Sequence, residues 1–185
     1  MAVSPQILLV SGSTRRGSTN TAALRTAQAL ASDEVVTVLY DRLSDLPAFN
    51  PDDDDDGVVH EAVAELRERI ATADAVLLCT PEYAGSLPGS FKNLLDWTVG
   101  SGELYGKPVA WINVAAPGRG QGAHTSLSTV LSYVGAVVIE PACTCVPVAR
   151  DTIGTDGLVA DEHVRAEIAK VLPQIVQHVR ETTDN

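Results

Sequence analysis

One stretch of nine residues holds an unusual density of hydrogen-bond donors. Gly12-Ser13-Thr14-Arg15-Arg16-Gly17-Ser18-Thr19-Asn20 carries four hydroxyls, two guanidinium groups, two glycines and an amide. It follows the short apolar run Ile7-Leu8-Leu9-Val10 and precedes a helical pattern, so it sits where a strand turns into a helix. A helix start exposes unpaired N–H groups and the positive end of the backbone dipole, which together favour an anion. Small hydroxyl side chains add donors without filling the space the anion needs, and Arg15 can fork onto two oxygens of one phosphate. Capping a helix takes one hydroxyl, so four of them point past a cap to a ligand. A phosphate monoester, with about −1.5 to −2 charges near neutral pH, matches this donor set.

The spacing narrows the choice of phosphate. A dinucleotide fingerprint needs G-x-G-x-x-G, and this loop has no G-x-G. The triphosphate loop G-x-x-x-x-G-K-[ST] finds its glycines and, at Thr19, its hydroxyl, but Ser18 stands where the lysine belongs. Without that lysine the charge of a triphosphate is left largely uncompensated. A second segment, Thr80 to Trp97, is stiffened by Pro81 and Pro88, and Gly85 lets its backbone come close to a ligand. Its backbone amides suit the edge of a planar ring that presents carbonyls and an N–H. Tyr83 offers a flat face with a polar tip; the alternative for it is a capped core aromatic.

The elements that position these segments are read from periodicity. Continuous apolar runs at Ile7–Val10, Val35–Leu39, Ala75–Cys79, Val109–Val114 and Ala136–Ile139 read as strands buried on both faces, the last continuing past Pro141 toward Val146. Between them, helical spacing marks residues 19–31, 58–72, 89–98, the stretch through Leu127 and Val134, and a last helix from Val164 to Val179 that Pro173 should kink or divide. Five strands alternating with five helices predict an α/β, three-layer, doubly wound parallel sheet formed by residues 1–185 as one domain. Ligands in such sheets bind beyond the carboxyl ends of the strands, which is where the unusual loops fall. A single phosphate there is how FMN docks in the flavodoxin-like strand order 2-1-3-4-5.

Composition bounds the rest. The chain has 185 residues and a formal net charge of −11, which argues against nucleic acid and anionic membrane as partners. No stretch approaches the roughly 20 apolar residues of a membrane span, and no leader pattern opens the chain, so a cytoplasmic protein is expected. The run Asp52–Asp56 reads as a solvated loop, since adjacent carboxylates repel instead of caging a cation. Cys143 and Cys145, two apart on an expected strand, read as buried structural thiols facing one side, and no metal site is expected. His60, His163 and His178 read as surface residues; His124, close to the third loop, is a candidate for the site.

The two segments together resemble the signatures of the NADPH-dependent FMN reductase family, which includes quinone and chromate reductases. Residues 12–20 carry G-S-x-R-x-x-S-x-N throughout. Residues 81–97 carry P-E-Y-N-x-S-x-P-G-x-x-K-N-x-x-D-W with one departure, Ala84 in place of asparagine. The resemblance implies that Ser13, Arg15, Ser18, Thr19 and Asn20 surround the FMN phosphate. It implies that Pro81, Glu82, Tyr83, Ala84, Gly85 and Ser86 line the isoalloxazine edge, with Tyr83 against the ring. The family's third loop is usually rich in glycine; here it reads Ala115 to Gly122, with Pro117, Gly118 and Arg119 as cofactor-binding candidates and Arg119 a candidate for the 2′-phosphate of NADPH.

The same resemblance implies an FMN-dependent oxidoreductase with NADPH or NADH as donor and a small acceptor: free flavin, quinone, metal oxyanion or azo compound. Ping-pong turnover is expected, with no protein nucleophile or general base, since the flavin carries the chemistry. The resemblance also favours a homodimer or homotetramer, and the apolar cluster Phe91, Leu94, Leu95 and Trp97 is a candidate for its interface, against ordinary packing on the sheet. The competing function is a flavodoxin-type electron carrier, or a flavin-binding redox sensor, with no turnover of its own.

Overall fold

A computed structural model describes residues 4–55 and 60–183. The chain runs β1 (Gln6–Ser11), α1 (Thr19–Ala29), β2 (Val36–Tyr40), α2 (Pro51–Asp55), α3 (Glu61–Thr72), β3 (Ala75–Cys79), α4 (Gly89–Asp96) and β4 (Pro108–Asn113), then α5 (Gln121–Tyr133), β5 (Val137–Val138), β6 (Thr144–Cys145), α6 (Glu162–Ile168) and α7 (Val171–Thr183). Among the described residues these strands pair in parallel, in the order β2-β1-β3-β4-β5, and β6 also pairs with β4.

The apolar runs of β1, β3 and β4 are strands because both of their faces are covered, whereas β2 and β5, at the sheet edges, are not buried on both faces as expected: Val36 and Val137 are exposed. Along β1, Ile7 and Leu9 belong to one core cluster and Leu8 and Val10 to the other; β3 divides the same way. The first cluster takes in the apolar stripes of α1, α6 and α7, and the second those of α3, α4 and α5. Three layers result, and the register Ser11↔Cys79 brings the loops after β1 and β3 out side by side.

Several expectations need correction. The fifth strand does not run on: a 3₁₀ turn at Glu140–Ala142 splits it into β5 and β6, because Pro141 has no N–H to give to the ladder. The last helix is divided before Pro173, at Ala169–Lys170, and Pro173 falls in the first turn of α7, where its N–H would have no helical partner. The acidic run is not a loop. Residues 51–55 form a helical turn in which Asp53 Oδ2 lies 3.0 Å from His60 Nε2 and Asp54 Oδ1 accepts from Arg67 Nη2 at 2.5 Å. Asp56 and the residues 58 and 59 expected to open the second helix lie outside the described residues. His60 is half-buried against Trp97, at 5.6 Å between ring centroids, not a surface residue. Phe91, Leu94, Leu95 and Trp97 are each at most 1% exposed within this chain, so their packing is internal and they offer nothing to a second copy.

Candidate cofactor site

The loop after β1 is drawn tight by its own small side chains. Ser11 Oγ accepts from the Ser13 amide at 3.4 Å, Ser13 Oγ from the Arg15 amide at 3.3 Å, and Ser18 Oγ from the Asn20 amide at 3.2 Å, capping α1. Gly12 donates its N–H to the Cys79 carbonyl at 2.8 Å, and a Cβ on Gly12 would collide with Thr80. Asn20 is turned inward: its Oδ1 accepts from the buried Cys79 thiol at 3.3 Å, and burial pushes that thiol far above its ordinary pKa. Among the described residues nothing accepts from the amides of Thr14, Arg16, Gly17, Ser18 or Thr19, and no carboxylate pairs with Arg15, Arg16 or Arg119. A row of idle amides with an unneutralised guanidinium is a seat for an anion.

The loop after β3 closes as a two-residue hairpin. Tyr83 and Ser86 exchange both backbone hydrogen bonds, at 3.0 and 3.1 Å, across Ala84 (φ 51°) and Gly85 (φ 72°). Two successive positive φ values define a type I′ turn, which favours Asn-Gly, and this explains why an asparagine would suit position 84. Tyr83 is half exposed, so it is not the core aromatic of the alternative reading. Glu82 faces away from the hairpin tip: its Oε2 accepts from the amides of Gly122 (2.7 Å) and Ala123 (3.1 Å), which caps α5 and ties the second loop to the third.

These loops converge. A cavity of about 290 Å³ is lined by Ser13, Thr14, Arg15, Arg16, Gly17 and Ser18, with Arg25 and Asp41. A second, of about 220 Å³, takes Thr19 and Asn20 from the first loop, Thr80, Pro81 and Glu82 from the second, and Val114, Ala115, Arg119 and Gly120 from the third. Tyr83, Ala84, Gly85 and Ser86 form the hairpin beyond Glu82, and Pro117 and Gly118 are exposed on the third loop; these six line neither cavity.

Asn113 went unsuspected in the sequence, and Gly122 and Thr80, both inside the segments singled out there, have packing roles the sequence did not show. Buried Asn113 pins the third loop, accepting from the Ala115 amide at 2.9 Å and donating to the Arg119 carbonyl at 3.4 Å. Gly122 lets α5 approach the second loop, since a Cβ there would collide with the Gly85 carbonyl. Thr80 closes the wall against Gly12.

A family model described as NADPH-dependent FMN reductase matches residues 5–150. The chain belongs to that family. An NAD(P)H-dependent FMN reductase of Pseudomonas aeruginosa is 32% identical over 178 residues, 95% of each chain. A quinone reductase of Escherichia coli is 32% identical over 139 residues, 73% of each. Among solved structures, the flavoenzyme NAD(P)H:(acceptor) oxidoreductase FerB of Paracoccus denitrificans superposes with a TM-score of 0.76 at 30% identity, covering 96% of this chain and 98% of its own.

This member of the FMN reductase family is therefore an oxidoreductase that works with FMN and an NAD(P)H donor. The free amides, the free guanidinium and the cavity shared by three loops fit that cofactor. Among the described residues no helix is long and apolar enough to cross a membrane, and no three His, Cys, Asp or Glu side chains gather for a metal.

His124, the one histidine suspected of a site role, is buried in the first turn of α5, its ring 4.1 Å from that of Trp111. Among the described residues both of its ring nitrogens lack a partner, and burial lowers its pKa below the ordinary 6.5, with Glu82 opposing the shift. The two cysteines part company. Cys143 packs against the core and burial lifts its pKa to about 11, whereas Cys145 is exposed, so the expectation of two buried thiols facing one side fails. The 3₁₀ turn ends just before them, and the two-residue β6 is too short to bury the second.

Proposed function

We propose that this reductase seats the FMN phosphate on the loop Gly12–Asn20 and holds the isoalloxazine between the loops after β3 and β4. The roles are those of the family motif: Ser13, Arg15, Ser18, Thr19 and Asn20 on the phosphate; Pro81 to Ser86 along the ring edge, with Tyr83 against it; and Pro117, Gly118 and Arg119 from the third loop. The observation that carries the reading is the cavity to which all three loops contribute, opening beside the unpaired amides of α1. When bound, FMN takes hydride from NAD(P)H and passes electrons onward. The protein's share is to bind and orient: Arg15 neutralises the phosphate, Glu82 keeps the second and third loops in register, and the half-exposed Tyr83 offers its flat face at the open side.

Donor and acceptor use one exposed side in turn, which gives ping-pong kinetics. A quinone is the acceptor to try first, because a relative covering 73% of both chains carries that name; free flavin, metal oxyanions and azo compounds are the others. We place the protein in the cytoplasm as a homodimer or homotetramer. Two measurements test the activity. Anaerobic NADPH should bleach the FMN-loaded protein rapidly, and initial rates with a quinone should give parallel double-reciprocal lines; a flavin that stays oxidised would mean a carrier or sensor, and intersecting lines would end the ping-pong proposal. Arg119, exposed and without a carboxylate partner among the described residues, is assigned to the 2′-phosphate of NADPH. Arg119→Ala should then lower kcat/KM for NADPH by roughly tenfold or more relative to NADH; an unchanged ratio refutes the assignment.

A further inference from the structure

One residue on β3 holds both ends of the loop Gly12–Asn20. Cys79 closes that strand; its carbonyl accepts from the Gly12 amide at 2.8 Å, and its thiol donates to Asn20 Oδ1 at 3.3 Å. Cys79 is 1% exposed and packs in the core with Ile7, Ala23 and Ala75. Burial pushes its pKa far up, so it stays a thiol and keeps its proton to donate. Asn20 is 5% exposed, and its Nδ2 has no partner among the described residues. Only the ring nitrogens of His124 are both sealed and unpartnered there, so Nδ2 keeps its access to the cavity that Asn20 lines with Thr80, Glu82 and Arg119. The other thiols have no comparable partner. Cys143 donates to the Ile139 carbonyl at 3.5 Å, a backbone group that cannot turn, and Cys145 is exposed.

We infer that Cys79 is a positioning residue for the cofactor: its S–H fixes which way round the Asn20 amide stands, and so turns N–H donors, not a carbonyl oxygen, toward FMN. The inference rests on the reading above, in which Asn20 binds FMN, and adds the residue that makes Asn20 a donor. The oxygen and nitrogen ends of a side-chain amide are nearly alike in size, so packing does not choose between them and hydrogen bonds must. Sulfur is a weak acceptor, and a protonated thiol has a proton to give. The amide therefore turns its oxygen to Cys79, and its NH₂ is left facing the cavity. FMN offers acceptors there, its phosphate oxygens and ring carbonyls. A reversed amide would set its own oxygen against them, lone pair against lone pair, and spend its NH₂ on sulfur. Because the thiol lies out of reach of water, nothing competes for its proton, and one weak bond suffices to set the orientation. The donor is in place before FMN arrives, which spares the cost of ordering it on binding.

FMN titration of the full-length apo-protein, followed by quenching of flavin fluorescence, tests this. Cys79→Ala removes the donor and frees the amide to turn, and should weaken FMN binding roughly threefold to tenfold. Cys79→Ser keeps an O–H in place of the S–H and should bind FMN within about twofold of the wild type. In an Asn20→Ala background, Cys79→Ala should cause no further loss, a non-additivity that packing damage alone does not produce. A second readout needs no flavin: the infrared S–H band of Cys79, identified by its disappearance in Cys79→Ser, should move to the position of an unbonded thiol in Asn20→Ala. Three results overturn the positioning role while Arg15→Ala still weakens FMN: a Cys79→Ala variant that binds as the wild type does, a Cys79→Ser variant that loses as much as Cys79→Ala, or additive losses in the double variant. An S–H band unmoved by Asn20→Ala overturns it as well. If neither Arg15→Ala nor Asn20→Ala alters FMN affinity, the FMN seat itself fails and takes this inference with it.

Discussion

A buried imidazole whose nitrogens have no partner resists protonation. His124 sits against Trp111 with its pKa lowered by burial and only partly restored by Glu82. In the unfolded chain its pKa is about 6.5. As pH falls below that value the unfolded chain takes up a proton that the native state refuses, so stability declines until the native pKa is reached and then loses no more through this group. His124→Phe removes this contribution: its urea midpoint should fall less between pH 7 and pH 5 than that of the wild type, and parallel declines would refute the assignment. At this scale the sequence disclosed the donors that crowd one short loop, Ser13, Arg15, Ser18 and Asn20, because hydroxyl density is a local signal. It did not disclose that Glu82 caps a helix 40 residues away or that Asn113 pins the third loop, because such roles depend on partners that only the folded chain brings near. Cys145 shows the same limit, since exposure at a sheet edge is not written in its neighbours.

The elements were largely legible, and their interruptions less so. Strand runs such as Ile7–Val10 are apolar without alternation, as burial on both faces requires, so β1, β3 and β4 and their parallel order follow from the chain. Pro141 and the Ala169–Lys170 break show where local preference overrode a longer pattern. Self-repulsion alone favours a loop at residues 51–55; the helical turn forms because Arg67 pairs with Asp54 while also donating to the Trp97 carbonyl at 2.9 and 2.7 Å. The hairpin at Tyr83–Ser86 carries a testable strain. Ala84 holds a left-handed backbone, which costs an L-residue about 1–2 kcal/mol and which asparagine tolerates better. Ala84→Asn should raise the unfolding free energy by about 1 kcal/mol, and Ala84→Val should lower it by at least as much. Urea titrations of the two variants check this, and a destabilising Ala84→Asn would count against the turn geometry.

At the scale of the whole molecule, the parallel sheet performs one service: it delivers the loops after β1, β3 and β4 to the same edge, so that segments about 100 residues apart share one cavity. In the site proposed above, cofactor binding as a whole depends on a single dianionic ester being gripped at the start of α1. Titrating the apo-protein with FMN and with riboflavin, for the wild type and for Arg15→Ala, tests that grip most directly. FMN should bind at least about tenfold more tightly than riboflavin, and Arg15→Ala should cost FMN about 1.5–3 kcal/mol, roughly tenfold to over a hundredfold, while leaving riboflavin unchanged. Equal affinity for the two flavins, or an Arg15→Ala variant that binds FMN as the wild type does, would contradict it.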